Sequence, residues 1–436
     1  VIDHANFAAL CDRHDMVGAV VGWSSGGTRG AVGHGVADLA TGDAVSVETN
    51  FLAGSVTKAM TATIVTQLVT EGRLSLDDRV VDVLAEFAVA DPGATANVTV
   101  RHLLTHTAGF DGDIWPDDNI DILTHLSDAA QLFAPGSFFS YDNASYAVLG
   151  LIITRVLGGT FESAIDQHIA GPCNALITTD MTKLDQRPRA TGHVRGDDGH
   201  SFEPTTVVEG PASMAAAGAR TWCAIDGLLA FGEMHLRTPE LAAMRKRQIV
   251  VPDPNNGGTM ALGVFLDDRW GTPVVFHDGG VNGQSAYLRI MPEHDAVFAL
   301  MSTGGVPQCF HRDVFRSLAH TSLGITAPQR AQANSTIVVD RARYVGTYGA
   351  AGIGVEVSQR QGALVAALTF GRTSSVPHTI EAIPLAAVDD RVFLMPLDGR
   401  DFVLVFPPPA EPCDHVLAGM RLLPRLPAHS QLGGIS

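Results

Sequence analysis

Of the three lysines in the chain, Lys58, Lys183 and Lys246, one stands three residues after a serine, in Phe51-Leu-Ala-Gly-Ser55-Val-Thr-Lys58. On a helix, positions i and i+3 share a face, so the Lys58 amine falls within reach of the Ser55 hydroxyl. A hydroxyl is a poor nucleophile until a base takes its proton, and a lysine whose pKa is lowered by burial can be that base. A helix N-terminus also favours negative charge developing at Ser55. With so few lysines, roughly 0.15 Ser-x-x-Lys matches are expected by chance. The ordinary alternative is a solvated surface Ser–Lys pair.

Two more short patterns occur once each. Ser140-Tyr141-Asp142-Asn143 holds the single Tyr-x-Asn among five tyrosines, after Ala134-Pro135-Gly136 and before a helical pattern. A tyrosine there can relay a proton to a leaving group, and Asn143 can bind Lys58 or a substrate amide. The plainer readings are a packed aromatic and a helix N-cap. Phe276-His277-Asp278-Gly279-Gly280 holds the single His-x-Gly among seventeen histidines and follows a strand pattern. Glycine lets backbone approach a ligand closely, so the Gly280 N–H can complete an oxyanion hole with that of Ser55. Its plainer reading is a glycine-rich hairpin turn.

The surrounding patterns supply elements to carry these residues. Val17–Gly22 and Ala31–Val36, separated by Ser24-Ser25-Gly26-Gly27, predict a β-hairpin. After Ser55, apolar residues at Met60, Ile64, Val65, Leu68 and Val69 predict a helix that stops at Gly72. Further helices are expected over Ala144–Val156 and Phe161–Ile169. Strands return at Leu262–Leu266, Val274–Phe276, Ala286–Ile290 and Ala296–Met301. Strands at both ends with helices between predict an α/β (α+β) body with a helical insertion at about 75–255. Residues 326–336 read as a linker, and short regular strands over 337–436 read as a small all-β barrel or sandwich.

Ser-x-x-Lys, Tyr-x-Asn and His-x-Gly, in this order and at these separations, resemble the active-site motifs of the serine β-lactamase-related, penicillin-binding-protein-like superfamily. Its members include class C β-lactamases, DD-peptidases, D-aminopeptidases, esterases and penicillin-binding-protein-type thioesterases. Arg101-His-Leu-Leu-Thr-His-Thr-Ala-Gly109-Phe and Gly72-Arg-Leu-Ser-Leu-Asp-Asp78 are similar to other stretches typical of the group. The resemblance covers residues 1–325 and implies a catalytic body with an antiparallel sheet flanked by helices. It implies that Ser55 is acylated, Lys58 is its base, Tyr141 shuttles protons and Asn143 contacts substrate and lysine. His277 takes the third-motif position, and Gly279 and Gly280 bring backbone to the substrate, while His102 and His106 read as structural. The C-terminal strands, from Tyr344-Val-Gly-Thr-Tyr348 onward, resemble the lipocalin-like barrel appended to some members.

What the resemblance implies is acyl transfer through an acyl-Ser55 intermediate, with no metal and no cofactor. β-Lactamases and DD-peptidases usually carry lysine where this chain has His277, and a mostly neutral imidazole engages a substrate carboxylate less well. Hydrolysis of an ester, or of a small amide or peptide that includes D-configured ones, is therefore the expected activity. A thioesterase or peptide cyclase acting on a carrier-protein-bound peptidyl thioester is the main rival. A β-lactamase or DD-peptidase and a non-catalytic binding relative are further alternatives.

Composition narrows the partners. A chain of 436 residues exceeds one ordinary core, so two or three domains are expected. The net charge of −17 repels nucleic acid and anionic membrane surfaces. No apolar run reaches transmembrane length, so membrane insertion is not expected. Cys11, Cys173, Cys223, Cys309 and Cys413 lack metal-ligand spacing and read as buried thiols with one disulfide at most. The compartment is left open, with the cytoplasm slightly favoured over secretion after loss of a signal peptide.

Overall fold

The computed structural model describes residues 2–114, 121–196, 198–256, 258–350, 352–370, 378–397, 400–407 and 413–427. The chain forms two compact units, both discontinuous in sequence. Val1–Asp78, Tyr146–Gln248 and Thr259–Pro328 make the first; Arg79–Ser145, Ile249–Gly258 and Gln329–Ser436 make the second.

The first unit is built on an antiparallel sheet. Its hairpin, β1 (Gly18–Ser25) and β2 (Thr28–Gly35), runs through Ser24 and Ser25, so the turn is only Gly26-Gly27. Both turn residues have positive φ, 56° and 76°, which glycine adopts without steric cost. The late strands are β3 (Phe265–Asp267), β4 (Val274–Val281), β5 (Gln284–Met291) and β6 (Ala296–Thr303). The sheet runs β2-β1-β6-β5-β4-β3, and Thr259–Met260 continues it beyond β3.

Helices cover both faces of this sheet. Of the labelled helices, α1 spans His4–Arg13, α2 Val56–Thr70, α3 Ala144–Leu157, α4 Ile225–Arg237 and α5 Pro307–Leu323. Neighbouring residues of β5 show the alternation. Leu288 approaches Gly232 of α4, while the Arg289 guanidinium lies 4.9 Å from the Phe315 ring of α5. Helix α2 is buried on nearly all sides rather than on one stripe. Its threonines satisfy their hydroxyls locally: Thr63 donates to the Ala59 carbonyl and Thr66 to that of Ala62, each at 2.8 Å. The helix expected over Phe161–Ile169 is α-helical to Ile165 and continues as a π-helical turn over Asp166–Ala170.

The second unit joins Arg79–Ser145 to the C-terminal strands. One sheet there runs β7 (Gly346–Ala350), β8 (Ile353–Arg360), β9 (Ala363–Phe370), β10 (His378–Pro384). The other runs β11 (Ala386–Ala387), β12 (Val392–Leu397), β13 (Arg400–Val405), β14 (His415–Ala418), β15 (Arg421–Pro424). Tyr344, Tyr348, Val355, Leu368, Phe393 and Phe406 fill their common core. A bridge between Tyr348 and Arg425 links the two sheets, and closed barrel pairing is not seen among the described residues.

The compact units cut across the boundaries expected along the chain, at 1–325, 326–336 and 337–436. Phe133 and Phe138 pack with Leu394, Val403, Val405, Leu417 and Leu422, tying the 79–145 stretch to the C-terminal sheets. The expected linker is itself docked: Ala331 joins that apolar cluster and Arg330 donates to the Asp401 carbonyl at 3.1 Å. All five cysteines carry free thiols. Among the described residues no single helix is long and apolar enough to cross a membrane.

Candidate active site

Ser55 stands at the N-cap of α2, where a serine hydroxyl ordinarily accepts from an amide of the first turn. Here its backbone is already helical (φ −64°, ψ −9°) and its side chain makes no capping bond. The Lys58 Nζ instead donates to Ser55 Oγ at 3.0 Å and to the Ala217 carbonyl at 2.6 Å. Lys58 is 0% exposed, and its Nζ lies 5.6 Å from the centre of the Tyr146 ring. Burial excludes the surface-pair reading of Ser-x-x-Lys.

The backbone around Ser55 is packed against glycines. Strand β3 pairs with β4 only as far as Phe276, and beyond it the Ala53–Ser55 backbone packs closely on Gly279 and Gly280. A Cβ added to Gly279 would lie 2.4 Å from the Ala53 carbonyl oxygen and 2.7 Å from the Ser55 nitrogen. One added to Gly54 would lie 3.0 Å from the Gly280 nitrogen. On the other side, a Cβ on Gly218 (φ 112°) would meet the Gly54 carbonyl oxygen at 2.2 Å. The first unit thus brings Ser55, Lys58, Gly279 and Gly280 together, with the Gly280 amide beside the Gly54-Ser55 turn. Gly280 itself is exposed.

His277 is 2% exposed and shares an apolar lining with Ala59, Phe231, Val264, Val275 and Leu288. Its ring meets Phe265 edge-on at 5.5 Å, and its Nδ1 lies 2.8 Å from the Asp278 carbonyl oxygen. On the opposite face Asp278 pairs with Arg289. Burial alone would raise the Asp278 pKa, but the Arg289 charge and hydrogen bonds outweigh it and hold the carboxylate below its ordinary value.

Tyr141 and Asn143 belong to the second unit, on the segment leading into α3. Asp142 caps that helix: its Oδ1 accepts from the Ser145 amide at 2.6 Å and its Oδ2 from the Ser145 hydroxyl at 2.9 Å. Tyr141 stacks on His106, ring centres 4.3 Å apart, and His106 Nδ1 accepts from the Asp142 amide at 3.2 Å. His106 has a left-handed backbone (φ 55°) and is fully buried. His102 Nδ1 accepts from the Thr99 amide at 3.2 Å, completing a capping box. Asn143 Nδ2 donates to Asp113 Oδ1 at 2.7 Å, and Arg421 Nε donates to Asp113 Oδ2 at 2.6 Å. Gly218, Asp113 and Arg421 were not singled out from sequence. Nothing local marks them, because their partners lie far away along the chain. Among the described residues no group of three or more His, Cys, Asp or Glu side chains is placed to hold a metal ion.

Residues 4–322 match the β-lactamase family model. The chain is 33% identical over 371 residues to penicillin-binding protein 4 of Amycolatopsis lactamdurans, a match covering 79% of this chain and 97% of that protein. It is 36% identical over 307 residues to esterase EstB of Burkholderia gladioli, covering 58% of this chain and 78% of the esterase. Among solved structures it is similar to SurE, with a TM-score of 0.78 and 25% identity over 97% of this chain and 98% of that one. The SurE structure with D-Leu superposes with a TM-score of 0.76, again over 97% and 98% of the two chains at 25% identity. With a buried lysine on a serine at a helix start, and a family match across most of its length, the chain belongs to the β-lactamase family of serine hydrolases.

Proposed function

We propose that this protein transfers acyl groups through an acyl-Ser55 intermediate and hydrolyses an ester or a small amide, D-configured ones included. The observation that carries this reading is the 3.0 Å donation from the buried Lys58 Nζ to Ser55 Oγ. Lys58 in its neutral form takes the Ser55 proton as Oγ attacks the acyl carbon. The amides of Ser55 and Gly280 stabilise the oxyanion, and Gly279 lets that strand lie against the nucleophile. Tyr141 hands the proton to the leaving group, whose bond to the acyl carbon then breaks. Asn143 contacts the substrate. Water then attacks the acyl-enzyme, releasing the acid and restoring the serine hydroxyl.

At the third motif a buried histidine stands in place of the usual lysine, and an ordinary imidazole is mostly neutral near pH 7. That supports esters and amides over β-lactams, as does the likeness to an esterase and to a chain solved with D-Leu. The alternative expected from the sequence, a thioesterase or cyclase acting on a carrier-bound peptidyl thioester, differs in using an amine in place of water as the acceptor.

The test is intact-mass detection of the acyl-enzyme for wild type and Ser55→Ala. The panel holds p-nitrophenyl esters, D- and L-aminoacyl amides, a peptidyl thioester and a cephalosporin. Adducts with esters or D-amides that vanish in a folded Ser55→Ala protein are expected, with the cephalosporin turned over slowly at best. An adduct of the same stoichiometry in Ser55→Ala would place the nucleophile elsewhere. A macrocycle released from the thioester would establish the cyclase.

A further inference from the structure

The turn between β14 and β15 lies directly on the Tyr-x-Asn segment. Gly419 and Met420 form it with positive φ at both positions, 54° and 68°, a geometry that the methionine adopts only at a cost. The turn aims the Met420 carbonyl at the Tyr141 amide, 2.9 Å away, and the Leu422 amide donates to Ser140 Oγ at 3.0 Å. Between those two bonds stands Arg421. Its guanidinium lies 5.3 Å from the centre of the Tyr141 ring, and it donates to Asp113 and to the Gly419 carbonyl. Asp113 divides its two oxygens between Arg421 and Asn143.

This chain of bonds settles which way the Asn143 amide points. A carboxylate oxygen only accepts, so the end of Asn143 facing Asp113 is its NH₂ group. The other end is Oδ1, which only accepts, so any group it meets is an N–H or O–H donor. Arg421 in turn keeps Asp113 from rotating and leans a planar cation on the tyrosine ring.

Resting on the acyl-transfer reading above, we propose that Arg421, acting through Asp113, is a positioning residue that sets Tyr141 and fixes Asn143 with Oδ1 as its working end. The C-terminal sheets are then part of the acyl-transfer machinery and not an appended stabiliser. Arg421 is a positioning residue because it acts through its bond to Asp113 and its approach to the Tyr141 ring.

The experiment measures single-turnover acylation with an uncharged p-nitrophenyl ester, after melting curves confirm folding. It compares wild type, Arg421→Ala, Arg421→Lys, Asp113→Ala, Asn143→Ala and the Arg421→Ala/Asn143→Ala pair. Arg421→Ala is expected to lower the maximal acylation rate roughly 10²-fold, as misplaced catalytic groups do, with little change in ester affinity. Millimolar guanidinium restores much of that rate. Arg421→Lys, which keeps the charge but not the fork, loses roughly tenfold. The double variant loses less than the product of its single losses, since both act through Asp113. Wild-type acylation by folded Arg421→Ala or Arg421→Lys overturns the proposal. So does a loss confined to affinity for carboxylate-bearing substrates, which would make Arg421 a substrate contact. Absence of any wild-type acyl-enzyme would instead defeat the functional reading itself.

Discussion

Lys58 donates to Ser55 Oγ and to the Ala217 carbonyl and is itself 0% exposed. A primary amine can donate to both and still surrender a proton; a guanidinium stays charged throughout the working pH range. Lys58→Arg therefore keeps the charge yet is expected to slow acylation of an activated ester by roughly 10² or more. Single-turnover kinetics from about pH 5 to pH 10 decide the matter. A near-wild-type rate would move the base role to Tyr141 and leave Ser55 as nucleophile.

At the scale of elements, Ser55 is placed by backbone contact. Helix α2 begins where the Ala53–Ser55 backbone meets the glycine end of β4, and neither side has a flexible side chain that can give way. A methyl group on Gly279 must push main chain apart. Gly279→Ala is expected to cost about 1–3 kcal/mol of stability, the range of an overpacked core. It also moves the Gly280 amide away from Ser55 and slows labelling by a fluorophosphonate. Urea midpoints and labelling rates measured on one preparation test both effects. An unchanged labelling rate would show that Gly280 lies outside the oxyanion hole.

Across the whole molecule, buried histidines couple folding to pH. His235 of α4 is 1% exposed, with its Nε2 2.9 Å from the Thr63 hydroxyl of α2. Burial lowers its pKa to about 3, helped by the nearby charge of Arg245. An unfolded histidine titrates near ~6.5, so below that pH the unfolded chain binds a proton that the folded one refuses. The stability held by neutral His235 is complete above ~6.5 and is lost as pH falls toward the folded value. Between about pH 7 and pH 5 the loss from this group is about 2 kcal/mol. His235→Asn should remove that part of the slope in urea unfolding, and an identical slope in the variant would refute the assignment. His311, pushed down to about 4 mainly by burial, titrates in the same direction.

The parts legible in the sequence are those whose partners are near in sequence or whose pattern is short. Ser55 and Lys58 could be paired because one helical turn sets their distance. The β1–β2 hairpin followed from two glycines that tolerate left-handed backbone, and the late strands followed from their apolar runs. Tyr141, Asn143 and the glycines after His277 were found as motifs, each a few residues long. Tertiary structure alone decided the rest. His277 stands on a strand whose face is covered by α4, and its lining comes from Ala59, Phe231 and Val264, which no local pattern associates. Asp113 and Arg421 sit 308 positions apart in unremarkable sequence, and only the fold of the second unit makes them an ion pair. The same long-range packing binds the 79–145 stretch to the C-terminal strands, because apolar surface is buried wherever the folded chain presents it, whatever the order along the sequence.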